Sequence, residues 1–192
     1  GTDLKGVYTA VDFLKKATEK KEKFNFGKKV VVVGGGDVTT DCAVTAKLLG
    51  AEDVRIVYRR TLEEAPGNIN EFHYALSLGI GITTNMAPAS LEGKGKLSVA
   101  NFKGRDGKSA LSLNCDCIVF AIGQRPEELK AVSNLKTDEK GFVKANAKGK
   151  VASNIFSAGD IVNGGKTVVE AVADGKEAAK AIVAYLEKKG VK

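Results

Sequence analysis

Residues 28–42 read KKVVVVGGGDVTTDC. Four consecutive valines form a continuous apolar run, as expected of a parallel strand buried on both faces, and the glycines end it. Gly34 and Gly36, with Gly35 between them, match the first two glycines of G-x-G-x-x-G/A, and Thr39 takes the third small position. One glycine permits the tight turn and the next lets the backbone approach a pyrophosphate. The amides that follow, at Asp37 and Val38, open a helix whose N-terminal N–H groups and dipole favour anions. From Thr39 to Leu49 the apolar residues Ala43, Val44, Ala46, Leu48 and Leu49 suit that helix, and Gly50 closes it.

Working outward, DVRIVYRR (53–60) reads as a second strand, EFHYALSLG (71–79) as a second helix closed by Gly79, and IGITT (80–84) as a third strand. Strand, helix, strand, helix, strand over residues 29–84 is a βαβαβ unit, which implies an α/β fold with a Rossmann-like, doubly wound parallel sheet. Upstream, GVYTAVDFLKKATEKKEK (6–23) carries Val7, Val11 and Leu14 at helical spacing and predicts one helix. Downstream, ASLEGKG, KLSVANFK and SALSLNC alternate apolar and polar residues between glycine turns and predict an antiparallel β-meander. CDCIVFAIGQRP then returns to a buried strand. FVKANA and NIFSAGD predict short strands, and TVVEAVADGKEAAKAIVAYLEKK predicts a long helix.

The end of the second strand discriminates between nucleotides. NAD-preferring folds carry an acidic residue about 20 positions beyond the glycines, to accept hydrogen bonds from the ribose hydroxyls. Here Arg59, 59 − 34 = 25 residues after Gly34, and Arg60 stand instead. Guanidinium groups bind a 2′-phosphate bidentately, so NADPH is the expected nucleotide.

The chain has 192 residues, 43% hydrophobic and 28% charged, which is ordinary globular composition. The net charge of +7 favours anionic partners, but the lysines are interleaved with acids and aromatics are only 6%, which argues against nucleic acid. Neither a run of about 18 apolar residues nor a signal-peptide pattern is present, so the expectation is a cytoplasmic protein without a membrane partner. Cys42, Cys115 and Cys117 read as reduced packing residues, the last two on one face of a strand; no CxxC pair and no metal-ligand cluster is present. His73 lies in the EFHYAL helix with no nucleophile motif nearby and reads as a surface or structural residue. Glu63 and Glu64, beside YRRT, read as charge partners of the arginines or as solvated residues. No residue of the chain is expected to act as a catalytic acid, base or nucleophile.

The segments GTDLKGVYTAVDFL, KKVVVVGGGDVTTDCA, GAEDVRIVYRRTLEEAP, CIVFAIGQRP and IFSAGDIVNGGKTVVEAVADGKEAA occur in one order over essentially the whole chain. Together they resemble the glutamate synthase small-subunit-like flavoprotein reductases, a group that includes the flavin and NADPH part of dihydropyrimidine dehydrogenase. The resemblance implies an NADPH-binding domain inserted into an FAD domain, with electrons passing through FAD, commonly towards iron–sulfur clusters. By position it makes Gly34, Gly36 and Asp37 the pyrophosphate turn and Arg59 and Arg60 the 2′-phosphate grip. It puts Gly123 and Gln124 near the nicotinamide end and the domain junction. Gly159 and Asp160 would hold the ribityl chain of FAD, and Thr167 and Val168 would begin a helix facing the flavin ring. Departures from the family pattern are Asp37 for Asn, Thr39 for Ala, Ala65 and Gly67 around Pro66, and Gly165 and Lys166 in place of Pro.

The earlier glycine fingerprint for FAD and the Cys-rich iron–sulfur segment of such proteins do not occur in this sequence. The expectation is therefore a fragment: an NADPH-binding domain over residues 1–125 and a returning C-terminal strand and helix of the FAD domain over 126–192. The missing FAD and iron–sulfur part, or a partner subunit, would complete the enzyme. The alternative is a stand-alone NADP(H)-binding or sensing module without redox chemistry. A disulfide reductase of the thioredoxin-reductase type shares the AIG and GD motifs but needs a CxxC.

Overall fold

The computed structural model describes residues 1–19, 24–124, 126 and 135–190. The chain divides into two compact units, Gly1–Gly123 and Gln124–Lys192, and each is described by itself.

The first unit contains β1 (Val7–Thr9), α1 (Ala10–Glu19), β2 (Lys29–Gly34), α2 (Asp37–Leu48), β3 (Asp53–Val57), α3 (Ile69–Ser77) and β4 (Gly81–Thr83). They are followed by β5 (Met86–Gly93), β6 (Leu97–Gly104), β7 (Ala110–Asn114) and β8 (Cys117–Ala121). Five strands form a parallel sheet in the order β1-β8-β2-β3-β4, and β5-β6-β7 form an antiparallel sheet of three.

The two faces of the parallel sheet explain the valine run. Val30 and Val32 point into a core shared with Phe13 of α1, Cys42, Ala43 and Ala46 of α2, and Phe72 and Ala75 of α3. Val31 and Val33 point the other way, into a core with Leu97, Ala100 and Phe102 of β6. All four valines are at most 4% exposed, and full burial of such a side chain contributes ~1.5–3 kcal/mol. Helices thus cover one face and the meander covers the other. Both period-2 registers of β2 are apolar because neither face meets water.

The predicted helix over residues 6–23 starts later than its periodicity suggests. Val7–Thr9 is a strand paired in parallel with β8, Val7 opposite Ile118 and Thr9 opposite Phe120, and residues 20–23 lie outside those described. Two β-branched residues and a tyrosine suit a pleated strand. Thr9 then serves as the cap of α1: its Oγ1 accepts from the Asp12 amide at 3.2 Å and donates to Asp12 Oδ2 at 2.7 Å. The buried stripe of α1 is Ala10, Phe13 and Ala17, while Val11 is 48% exposed.

Cys115 and Cys117 do not share a face. Cys115 donates its amide to the Ser98 carbonyl and packs with the meander, whereas Cys117 opens β8 and packs on the helical side. The chain turns between them at Asp116, whose carboxylate accepts the amides of Lys28 at 2.8 Å and Lys29 at 3.0 Å. The alternation expected of one strand is interrupted there, and all three cysteines are buried and unbonded to each other.

In the second unit FVKANA and NIFSAGD contribute only the isolated bridges Thr137–Val143 and Lys150–Phe156. A short α4 (Asp160–Asn163) is followed by α5 (Val168–Lys188). Thr167 caps α5 in a reciprocal box: its Oγ1 accepts the Glu170 amide at 3.3 Å, and Glu170 Oε2 accepts the Thr167 amide at 3.1 Å. Among the described residues no helix is long and apolar enough to cross a membrane.

Candidate functional site

The sheet order creates a switch point between β2 and β8. From β2 the chain moves outward through α2 to β3, while β8 and β1 lie on the other side. Beyond the carboxyl ends of such strands, open α/β sheets bind ligands. The glycine turn lies there: Gly34 pairs with Ala121 at the end of β8, and Gly36 is the N-cap of α2.

Each glycine of the turn answers to a different neighbour. A Cβ on Gly34 would fall against the Ala121 carbonyl oxygen and Thr39 Oγ1, closer than 3.0 Å to both. A Cβ on Gly35 would fall equally close to the ring of Tyr58. A Cβ on Gly36 would meet nothing within 4 Å. Gly34 and Gly35 therefore let three pieces of structure close together, and Gly36 leaves the backbone bare on an open side. The Thr39 amide donates to the Gly36 carbonyl at 2.9 Å, which leaves the amides of Asp37 and Val38 ahead of the first intrahelical bond. Among the described residues, Thr39 Oγ1 is also a buried side-chain oxygen without a hydrogen bond. This donor-rich, open turn fits a phosphate-bearing ligand.

The loop after β3 closes over the turn. Gly67 donates its amide to the Gly35 carbonyl at 3.0 Å, and a Cβ on Gly67 would lie 2.9 Å from the Gly36 carbonyl carbon. Asp37 Oδ1 accepts the Asn68 amide at 2.7 Å, and Asn68 in turn caps α3 through its side chain, which accepts from the Asn70 amide. One carboxylate thereby ties the start of α2 to the start of α3. Tyr58, 8% exposed, donates its hydroxyl to the Glu64 carbonyl at 3.2 Å and fixes the middle of the same loop.

Arg59 and Arg60 lie just past β3, which ends at Val57, and both are exposed. Their segment is held through the backbone. The Tyr58 amide donates to the Thr83 carbonyl, the Met86 amide to that of Tyr58, and the Asn85 amide to that of Arg60. Neither arginine has an ion-pair partner among the described residues. Glu64 does have one: its Oε2 accepts from Arg105 Nη1 at 2.6 Å and from the Thr61 amide at 3.1 Å. The Thr61 amide and then the Arg105 guanidinium hold the Glu64 carboxyl below the usual carboxylate range. Glu64 is thus the charge partner of an arginine 41 residues away and not of its sequence neighbours.

The remaining expected residues belong to other segments of the chain. Gly123, with φ +97°, ends the first unit beyond the exposed Ile122, and Gln124 begins the second. Gly159 is the N-cap of α4 with φ +75°, Asp160 is that helix's first residue, and Thr167 and Val168 open α5. His73 is exposed on α3. Burial pushes the Cys42 thiol up to about 12 and that of Cys115 up to about 11, so neither has thiolate character near neutral pH. Among the described residues no group of three or more metal-ligating side chains converges.

Tyr58, Asn68 and Arg105 are the members of this site that the sequence did not single out, and Gly67 stood there only as a departure from the family pattern. Residues 66–68, Pro-Gly-Asn, did carry a turn and cap signal, with Glu71 three residues beyond Asn68. Arg105 had no local signal at all.

The chain is 38% identical over 181 residues to the NAD-dependent dihydropyrimidine dehydrogenase subunit PreT of Escherichia coli K12, covering 94% of this chain and 42% of that protein. It is 32% identical over 219 residues to the glutamate synthase [NADPH] small chain of the same strain, covering 96% of this chain and 46% of that one. It thus spans less than half the length of these curated relatives. Its fold matches the crystal structure of T. acidophilum thioredoxin reductase with a TM-score of 0.79 and that of Lactococcus lactis thioredoxin reductase with 0.81. These two are 22% and 20% identical to it, and the match covers 96% of this chain and 58% and 59% of theirs. The family model described as pyridine nucleotide-disulphide oxidoreductase matches residues 2–175, and to that family the chain belongs.

Proposed function

We propose that this chain is the NADPH-binding portion, with a returning segment of the flavin domain, of an FAD-dependent oxidoreductase resembling the glutamate synthase small chain. Hydride passes between NADPH and FAD, and electrons go on to iron–sulfur centres or partner subunits. The observation that carries the reading is the bare, open Gly36 at the start of α2, beside the β2/β8 switch point, with Arg59 and Arg60 following the adjacent β3.

In this reading the nicotinamide supplies a hydride and the flavin accepts it, so the protein's work is binding and orientation. The amides at Gly36, Asp37 and Val38 receive the pyrophosphate. Gly34 and Gly35 bring β8 and Tyr58 close enough to hold the turn rigid. Arg59 and Arg60 take the 2′-phosphate, and Gly123 and Gln124 lie towards the nicotinamide. On the flavin side, Gly159 and Asp160 hold the ribityl chain, and the capped N-terminus of α5 at Thr167 and Val168 faces the ring. Residues 1–125 and 126–192 are the two domains in this scheme.

NADH is the second reading for the nucleotide, favoured by the carboxylate of Glu64 in the loop just after the arginines and by the NAD-dependence in the name of the PreT relative. Titration of NADPH and NADH into the wild type and Arg59→Ala/Arg60→Ala separates the two. The expected result is a preference for NADPH of about tenfold or more that the double variant abolishes. An unchanged ratio of affinities overturns the NADPH assignment. Flavin absorbance and NADPH-dependent dye reduction test the redox part; nucleotide binding without either, in the chain joined to its remaining domain, points to a binding module.

A further inference from the structure

The three backbone segments around the arginine loop are pinned to one residue. Asn85, left-handed at φ +58°, donates its amide to the Arg60 carbonyl at 3.0 Å and accepts the Arg105 amide on its own carbonyl at 2.8 Å. The end of β3 and the turn after β6 are thereby fixed on either side of the turn that leads into β5. From that position the Arg105 guanidinium reaches Glu64 Oε2 at 2.6 Å, where the Thr61 amide also arrives. A guanidinium and a backbone amide converging on one anionic oxygen are the donor set that a phosphate oxygen takes. Thr61 directly follows Arg59 and Arg60. The side chains of Arg105 and Glu64 are 56% and 38% exposed, so their pair is a surface ion pair that costs little to exchange for a stronger anion.

We propose that Arg105 is a third arm of the 2′-phosphate grip, and that Glu64 occupies its anion seat until the nucleotide's phosphate displaces it. This rests on the reading of Arg59 and Arg60 as the phosphate-binding pair. Arg105 then adds attraction for the 2′-phosphate, whereas Glu64 competes with that phosphate and repels it. The two partners of one ion pair act on binding with opposite signs. A pair that merely latched the loop would act with one sign, because losing either partner would break the same contact.

Adenosine 2′,5′-bisphosphate and AMP, titrated calorimetrically into the full chain, isolate the 2′-phosphate from the rest of the nucleotide. Arg105→Ala is expected to weaken the bisphosphate about five- to tenfold, as for loss of one charge-assisted contact, with AMP unchanged within about twofold. Glu64→Gln keeps an oxygen for the Thr61 amide and removes the charge; it is expected to tighten the bisphosphate about two- to fivefold. Shifts of both variants in the same direction, equal effects on AMP, or no effect of Arg105→Ala overturn the proposal. Should Arg105→Ala melt too low to titrate, Glu64→Gln decides alone: tightening supports the seat, and unchanged or weaker binding overturns it. Arg59→Ala/Arg60→Ala, run alongside, reports on the underlying reading; if that variant binds the bisphosphate normally, the arginine pair fails independently of Arg105.

Discussion

Replacing Gly34 and Gly36 by alanine, one at a time, separates the two jobs of the glycine turn. At Gly34 the new methyl would lie closer than 3.0 Å to both the Ala121 carbonyl oxygen and Thr39 Oγ1. Neither can swing aside, since Ala121 is paired in register with Gly34 and Thr39 is fully buried in α2. Overpacking of this kind costs about 1–3 kcal/mol. For a chain of this length each kcal/mol lowers Tm by about 2–4 °C, giving an expected drop of roughly 2–12 °C. At Gly36, with φ −97° and ψ 176°, an alanine adopts the same backbone and meets nothing. The weaker N-cap is offset by reduced freedom of the unfolded chain, so Tm should move by no more than about 2 °C. In the proposed binding mode the methyl nonetheless fills the side from which the pyrophosphate would approach, and NADPH affinity should fall about tenfold or more, ~1.4 kcal/mol. Thermal melts followed by circular dichroism and NADPH titrations on the same samples provide the readout. Wild-type melting of Gly34→Ala would refute the steric argument, and wild-type binding by Gly36→Ala would refute the placement of the pyrophosphate.

Asp37→Ala removes the carboxylate that accepts the Asn68 amide and should destabilise the first unit by about 1–2 kcal/mol. Asp37→Asn keeps an acceptor and should recover most of that loss in a chemical-denaturation curve; equal losses for the two variants would show that the α2–α3 tie is not the cause. Asp116 is held below the usual carboxylate range by the amides of Lys29 and Lys28. Its folded value is the lower one, so its contribution is present above the unfolded value of about 4 and is lost as pH falls through the folded value. Asp116→Ala should accordingly be less stable than wild type at pH 7, with the gap in Tm shrinking below pH 4; a constant gap would place the effect in packing.

The sequence by itself determined the repeating part of this protein. VVVV and CIVFA are strands because apolar residues at every position suit a sheet buried on both faces, DVRIV because Val54, Ile56 and Val57 bury around two polar positions, and GGGDV marked the turn, where Gly34 and Gly35 leave no room for a Cβ. The three meander strands and the capped α5 were legible for the same reason, since their patterns are complete within a few residues of chain. Tertiary structure decided whatever depended on a distant partner. Val7–Thr9 has helical spacing with Val11 and Leu14, yet it is a strand because β8, more than 100 residues later, offers it a parallel edge. Cys115 and Cys117 alternate as if on one strand, but the turn at Asp116 assigns them to opposite layers. Gly67 over Gly36, and Arg105 on Glu64, join residues 31 and 41 positions apart. Local periodicity records which face a residue turns to the core, whereas these contacts arise only once sheet register has carried separate turns to the same edge.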